Sequence, residues 1–198
     1  MIGQLPQTLR VCNKEYNIRS DFRNVLKIIQ AYNDKDLSDR EKVFVCLSRI
    51  YKDLNSMPKD KDVYAEAFEA ATEFIECRLS SDKPSPKVVN WEKDEQLIFP
   101  AVNKVAGTEV RALPYMHWWT FLGYFQGIDR DDLWGTVLTI RQKKAKGKKL
   151  EQYEKDFYTA NRDLCSLEKA EDKKTPEDTM KAIYEQLLKE GGKKDGEQ

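Results

Sequence analysis

Residues 8–18 alternate apolar and polar positions on either side of Asn13-Lys14. Leu9, Val11, Tyr16 and Ile18 would share one face of a hairpin turned at Asn13, a residue that tolerates positive φ. Beyond Arg19 the period lengthens. Ser20 is placed as an N-cap, and Phe22, Val25, Leu26 and Ile29 form a helical stripe ending near Asn33. After the polar break Asn33-Asp34-Lys35-Asp36, Ser38-Asp39-Arg40-Glu41 has the form of a capping box, with Glu41 reaching back to the Ser38 amide. The helix it opens places Val43, Phe44, Leu47 and Ile50 inward, and Met57-Pro58-Lys59-Asp60 closes that unit. A third helix is predicted over 61–79, burying Val63 or Tyr64, Ala67, Phe68, Ala71, Phe74 and Ile75.

Residues 79–86 read as an internal joint, because Pro84 and Pro86 forbid a helix and Ser and Asp favour turns. Asp94 or Glu95 starts the next helix, through Leu97, Ile98, Ala101, Val102 and Val105, and Gly107 stops it. Pro100 should kink this helix or delay its start. Residues 115–126 carry six aromatic side chains and no formal charge, so they predict a helix packed on every side, around which the others assemble. Asp129 through Asp132 then cap a helix with Leu133, Trp134, Val137, Leu138 and Ile140 inward. The apolar positions Leu150, Tyr153, Phe157, Ala160, Leu164 and Leu167 follow a 3-4-3-4-3 spacing, a short coiled-coil-like seam. Glu168 to Lys174 is a charged linker. Thr175-Pro176-Glu177-Asp178 then starts an amphipathic helix over 176–189, with Met180, Ile183, Tyr184, Leu187 and Leu188 on one face. The end of the chain beyond Gly191-Gly192 is expected to be disordered. These elements give a mainly α fold, a helical domain over 1–167 with a small N-terminal β-hairpin, and an appended segment over 168–198.

Composition narrows the function classes. The 198 residues carry 34 basic and 34 acidic side chains, so no global field attracts nucleic acid or an anionic membrane. Cys12, Cys46, Cys77 and Cys165 are scattered with no C-x-x-C pair, which argues for reduced thiols and against a zinc site or disulfide framework. Residues 1–6 lack the charged and apolar regions of a signal peptide, and a cytoplasmic protein is expected.

Candidate chemistry is sparse. His117 lies beside two tryptophans with no partner near it in sequence, and a satisfied buried polar stripe with Thr120 and Tyr124 accounts for it better than catalysis does. Arg141, Lys143, Lys144, Lys146, Lys148 and Lys149 form a run of six cations. An acidic protein surface, or a solvated helix end, fits that run better than nucleic acid does in a chain of zero net charge. Ala145-Lys146-Gly147-Lys148-Lys149 looks like the end of a phosphate-binding loop, but Gln142 and Lys149 stand where that pattern needs Gly and Ser or Thr. Asp131-Asp132 reads as a helix cap and not as an acid/base dyad. No enzyme, cofactor or metal is expected. The apolar face of 176–189 would dock on the core, or be held out for a partner groove or a second copy of the chain.

Several blocks in combination resemble a known family. Met1-Ile2-Gly3-Gln4-Leu5-Pro6 with the hairpin, Tyr16-Asn17-Ile18-Arg19-Ser20-Asp21-Phe22-Arg23, and His117-Trp118-Trp119-Thr120-Phe121 are similar to the bacteriophage gene-product-fifteen family. So are Ile140-Arg141-Gln142-Lys143-Lys144-Ala145-Lys146-Gly147-Lys148-Lys149-Leu150 and residues 154–158, and the resemblance runs in order through about 1–167. It implies a protein of tailed phages and prophages, encoded in the tail-gene region near the tape-measure protein. It further implies a tail assembly chaperone in the host bacterial cytoplasm, shielding the tape measure while tail-tube subunits polymerise. The alternative it leaves open is a structural tail or connector component that stays in the virion. Expected partners are the tape-measure protein, the tail-tube protein and further copies of the chain, with no nucleic acid and no membrane. The expected contacts are the 150–167 seam or the 176–189 helix, and the resemblance supplies no catalytic residue.

Overall fold

The computed structural model describes residues 3–77 and 87–167. The predicted joint at 79–86, the last residues of the predicted third helix and the predicted helix at 176–189 therefore lie outside the described residues.

Strands β1 (Thr8–Val11) and β2 (Lys14–Asn17) pair antiparallel in the register Leu9↔Tyr16 and Val11↔Lys14. The turn uses Cys12 at φ 47° and Asn13 at φ 64°, two left-handed residues in succession, the twist that a two-residue hairpin favours. Leu9, Val11, Tyr16 and Ile18 are all buried, as the alternation predicts. The chain leaving β2 is then held from both sides. Ile18 bridges Tyr51 and Asp21 bridges His117, through bonds such as Phe22 N–H to Met116 O (3.0 Å) and Trp118 N–H to Ser20 O (2.7 Å).

Helix α1 (Phe22–Asn33) is capped by Asp21, whose carboxylate accepts from the Arg23 N–H, and not by Ser20. Ser20 is one position too early. It is buried instead, with its hydroxyl 2.8 Å from the Tyr115 hydroxyl. The most buried α1 positions are Phe22, Val25, Ile28 and Ala31, with Leu26 and Ile29 flanking them half-buried. Helix α2 (Asp39–Ile50) begins with the expected capping box between Ser38 and Glu41. Its inward stripe is Val43, Cys46, Leu47 and Ile50. Phe44 falls one residue round from that stripe and is 65% exposed, contrary to its predicted burial. Helix α3 (Lys61–Ile75) buries Ala67, Ala71 and Phe74.

Helix α4 (Glu95–Ala106) passes through Pro100 unbroken and ends at Gly107, whose φ of 69° is the left-handed cap. Its start is not delayed. Pro100 lies in the second turn, where its ring gives up the one bond that its N–H would have made to Gln96 O. Helix α5 (Trp118–Gln126) starts three residues later than the aromatic run, because 115–117 are drawn into the extended pairing with 20–22. Nor is it enclosed on all sides. Trp118 and Phe121 are buried, whereas Gly123 and Gln126 face solvent. Phe121 stacks on Phe22 (centroids 4.4 Å, planes 4° apart), and Trp91, Phe99 and Trp118 surround it. The Trp118 and Trp119 indole N–H groups donate to Ile75 O (2.8 Å) and Phe74 O (2.9 Å). They thereby tie α5 to carbonyls in the last turn of α3, where Phe74 O also accepts from the Cys77 N–H (3.2 Å).

Helix α6 (Leu133–Ala145) buries Trp134, Val137, Ile140 and Arg141. Leu133 precedes this stripe by one residue and is 50% exposed, against prediction. The seam predicted over 150–167 is not one helix. It is α7 (Gln152–Ala160) and α8 (Arg162–Cys165), broken at Asn161, with Tyr153 66% exposed and Cys165 the residue buried against α6.

Candidate partner-binding surface

The six predicted cations separate into three groups. Arg141 is not available to a partner. It lies seven residues after Trp134 and four after Val137, which puts it on the inward stripe of α6. Its guanidinium meets the buried Asp94 carboxylate bidentately, Nη1 to Oδ2 at 2.6 Å and Nη2 to Oδ1 at 2.8 Å. It also donates to Val88 O (3.1 Å), Leu164 O (2.6 Å) and Ser166 O (3.1 Å), and lies over the Trp134 ring. A buried charge needs this degree of pairing. The inward spacing from Trp134 and Val137 was the sequence signal for it. Asp94, its partner, carried none beyond its reading as a helix start.

Lys143 and Lys144 are engaged within the domain. Lys143 Nζ lies 2.7 and 2.8 Å from the two Glu154 oxygens. Glu154 also accepts from the Glu151 N–H at 2.7 Å, capping α7. Burial alone would raise the Glu154 carboxyl, but the ammonium and the amide outweigh it and hold the carboxyl below its usual range. Lys144 Nζ sits 3.6 Å from the centre of the Tyr158 ring.

Lys146, Lys148 and Lys149 remain exposed, with no ion-pair partner among the described residues. They surround the end of α6. Gly147 at φ 63° donates to Lys144 O (3.0 Å), and the Lys148 N–H donates to Lys143 O (2.8 Å). These two bonds are a Schellman cap. The Ala-Lys-Gly-Lys-Lys string therefore closes a helix with its carbonyl end, the opposite polarity to a phosphate-binding loop, where amides at a helix start face the anion. Tyr153, in the first turn of the helix that follows, is also exposed, with its hydroxyl 3.5 Å from Glu154 Oε1. Met180, Ile183, Tyr184, Leu187 and Leu188 lie outside the described residues.

His117 caps α5. Its Nδ1 accepts from the Trp119 N–H (3.0 Å), and Nε2, 3.0 Å from Pro6 O, donates to it. It is satisfied, as expected of a structural histidine, but by backbone and not by Thr120 and Tyr124. Burial pushes its pKa below the ordinary value, opposed by the Pro6 bond. The thiols are equally quiet. Burial raises Cys46 and Cys77 to about 11 and moves Cys165 the same way, while the Glu66 carboxylate raises the exposed Cys12. None has the low pKa of an activated nucleophile. Among the described residues, no group of three His, Cys, Asp or Glu could hold a metal, and no helix is long and apolar enough to cross a membrane.

The described domain thus combines a sequestered ion pair, a structural histidine and a cationic helix end. Over residues 1–167 the chain matches the family described as bacteriophage Gp15 protein, and it belongs to that family. It is a bacteriophage protein. No curated protein and no solved structure matches it.

Proposed function

We propose that this protein is a tail-region assembly chaperone, without enzymatic activity, that binds the tape-measure protein in the host bacterial cytoplasm before the tail tube closes around it. Family membership over 1–167 carries the reading. Phe44, Leu133 and Tyr153, 65%, 50% and 66% exposed, are side chains that such a partner could cover. Lys146, Lys148 and Lys149 add a cationic contact for an acidic stretch of the same partner. Tail-tube subunits and further copies of the chain are secondary partners on this reading.

Co-expression with the tape-measure protein of the same phage tests it. The expected result is a soluble complex that the triple replacement of Lys146, Lys148 and Lys149 by Glu weakens at least tenfold or so at low salt, with less effect at high salt. A tape measure that stays insoluble beside the wild-type chain overturns the proposal. Mass spectrometry of purified particles provides the second arm: a chaperone leaves the mature tail, whereas fixed copy numbers in the virion would make the protein a structural tail or connector component.

A further inference from the structure

The described chain ends beside an open groove between α4 and α6. Two ion pairs set these helices antiparallel, Asp94 with Arg141 at one end and Lys104 with Asp132 (2.8 Å) at the other. Between them runs a groove of about 240 Å³, floored by Leu97, Pro100, Ala101, Leu133 and Trp134. Pro100 is exposed and Leu133 is 50% exposed, so this floor is open to a further apolar element. The charged groups of its lining, Lys104 and Asp132, are bonded to each other. The chain leaves the domain at the other end of the groove. Ser166 O accepts from Arg141 Nη2 (3.1 Å) and from Lys93 Nζ (2.8 Å), and Lys93 lies about one helical turn before Leu97. The larger grooves, beside the hairpin and beside Phe44, include no residue of α4, α6 or α8.

We propose that residues 176–189 of the same chain fill this groove as an amphipathic helix, with Met180, Ile183, Tyr184, Leu187 and Leu188 against its floor. Anchors at this spacing are what a helix presents to an apolar groove. Positions 180 to 188 of the segment span as many residues as the lining positions Gln96 to Lys104, and each span is about 12 Å at the helical rise. Residues 168–175 join the segment to the chain's exit, and that tether reaches about 26 Å when extended, twice the length of the groove. The segment can therefore enter from either end. The same tether holds it near the groove at an effective concentration on the order of millimolar, which favours it over a second copy of the chain. Docked there, the segment covers Leu133, and a partner reaches that side chain only by displacing it.

The test is photocrosslinking in the full-length chain, with benzoylphenylalanine introduced at Tyr184. A mixture of isotopically labelled and unlabelled protein tells crosslinks within a chain from those between chains. The expected products join position 184 to residues 96–104 or 133–134 of the same chain. Crosslinks between chains, crosslinks confined to the hairpin groove or to the surface around Phe44, or no crosslink at all would each overturn the proposal. Amide exchange supplies a second readout. The amides of 183–188 should be protected in the wild-type chain, and Leu133→Glu, at an exposed position of the groove, should lower that protection about tenfold or more. Ile183→Glu, which leaves the domain itself unaltered, should do the same, and Phe44→Glu, in a different groove, should change nothing. Free exchange of these amides in the wild-type chain, or protection that survives Leu133→Glu, would place the segment elsewhere and sink the idea.

Discussion

His117 is the one histidine in the chain, and both of its ring nitrogens have assigned work, which fixes its tautomer. Nδ1 must be unprotonated to accept the Trp119 N–H, and Nε2 must carry the proton given to Pro6 O. Protonation would destroy the cap of α5 in the centre of the aromatic core. Because burial lowers the folded-state pKa, the unfolded chain takes up the proton first as pH falls. The histidine's contribution to stability is thus fully present above about pH 6.5 and declines below it, until the folded form also protonates. Thermal unfolding from neutral pH to about pH 5 should show this decline, and His117→Asn, which keeps a capping acceptor that does not titrate, should flatten it. A decline of equal size in that variant would assign the effect to carboxylates instead.

The helices show which parts of the sequence were readable and which were not. The hairpin, the Ser38 capping box and the Gly107 stop were legible because each depends on residues adjacent in sequence. Phe44 and Leu133 were misplaced because hydrophobicity does not say which of two neighbouring positions faces inward. The start of α5 was misplaced because the competing pairing comes from residues 20–22, far away in the chain. The same limit hid a close approach on α6. A Cβ at Gly135 would lie 2.1 Å from Asp129 O and 2.7 Å from Arg130 Cα, so the first turn of α6 rests directly on the backbone that precedes it. Helix propensity alone would make Gly135→Ala stabilising by about 1 kcal/mol. The contact is with backbone, which cannot rotate away, so the substitution should instead destabilise by about 1–3 kcal/mol in urea unfolding. A gain in stability would show that the 129–130 turn yields easily.

At the scale of the whole molecule, Arg141 and Asp94 join parts of the chain that helix-on-helix packing leaves far apart in sequence. One guanidinium holds the approach to α4 through Val88 O and Asp94, and the end of α8 through Leu164 O and Ser166 O. Lys93 Nζ adds a bond to Ser166 O at 2.8 Å. The helix α7 between them is pinned in turn by Lys143 and Glu154. The most specific residues of the cationic run thus organise the carboxy-terminal part of the described domain, and the run's remaining lysines project from the platform so formed. Removing one member of a buried pair leaves the other charge without compensation, which costs about 3–5 kcal/mol, whereas replacing both by apolar residues of similar size is often near neutral. Asp94→Asn and Arg141→Met should each fall in the first range, and the double variant Asp94→Leu/Arg141→Met should recover much of the loss. The double variant also separates stability from function. If the lysines act only from a correctly placed platform, it should regain stability and yet bind the proposed tape-measure partner more weakly, because Leu164 O has lost the guanidinium and Ser166 O keeps Lys93 without it. Recovery of both together would reduce the ion pair to a packing element, and partner binding would then rest on the lysines and Tyr153 alone.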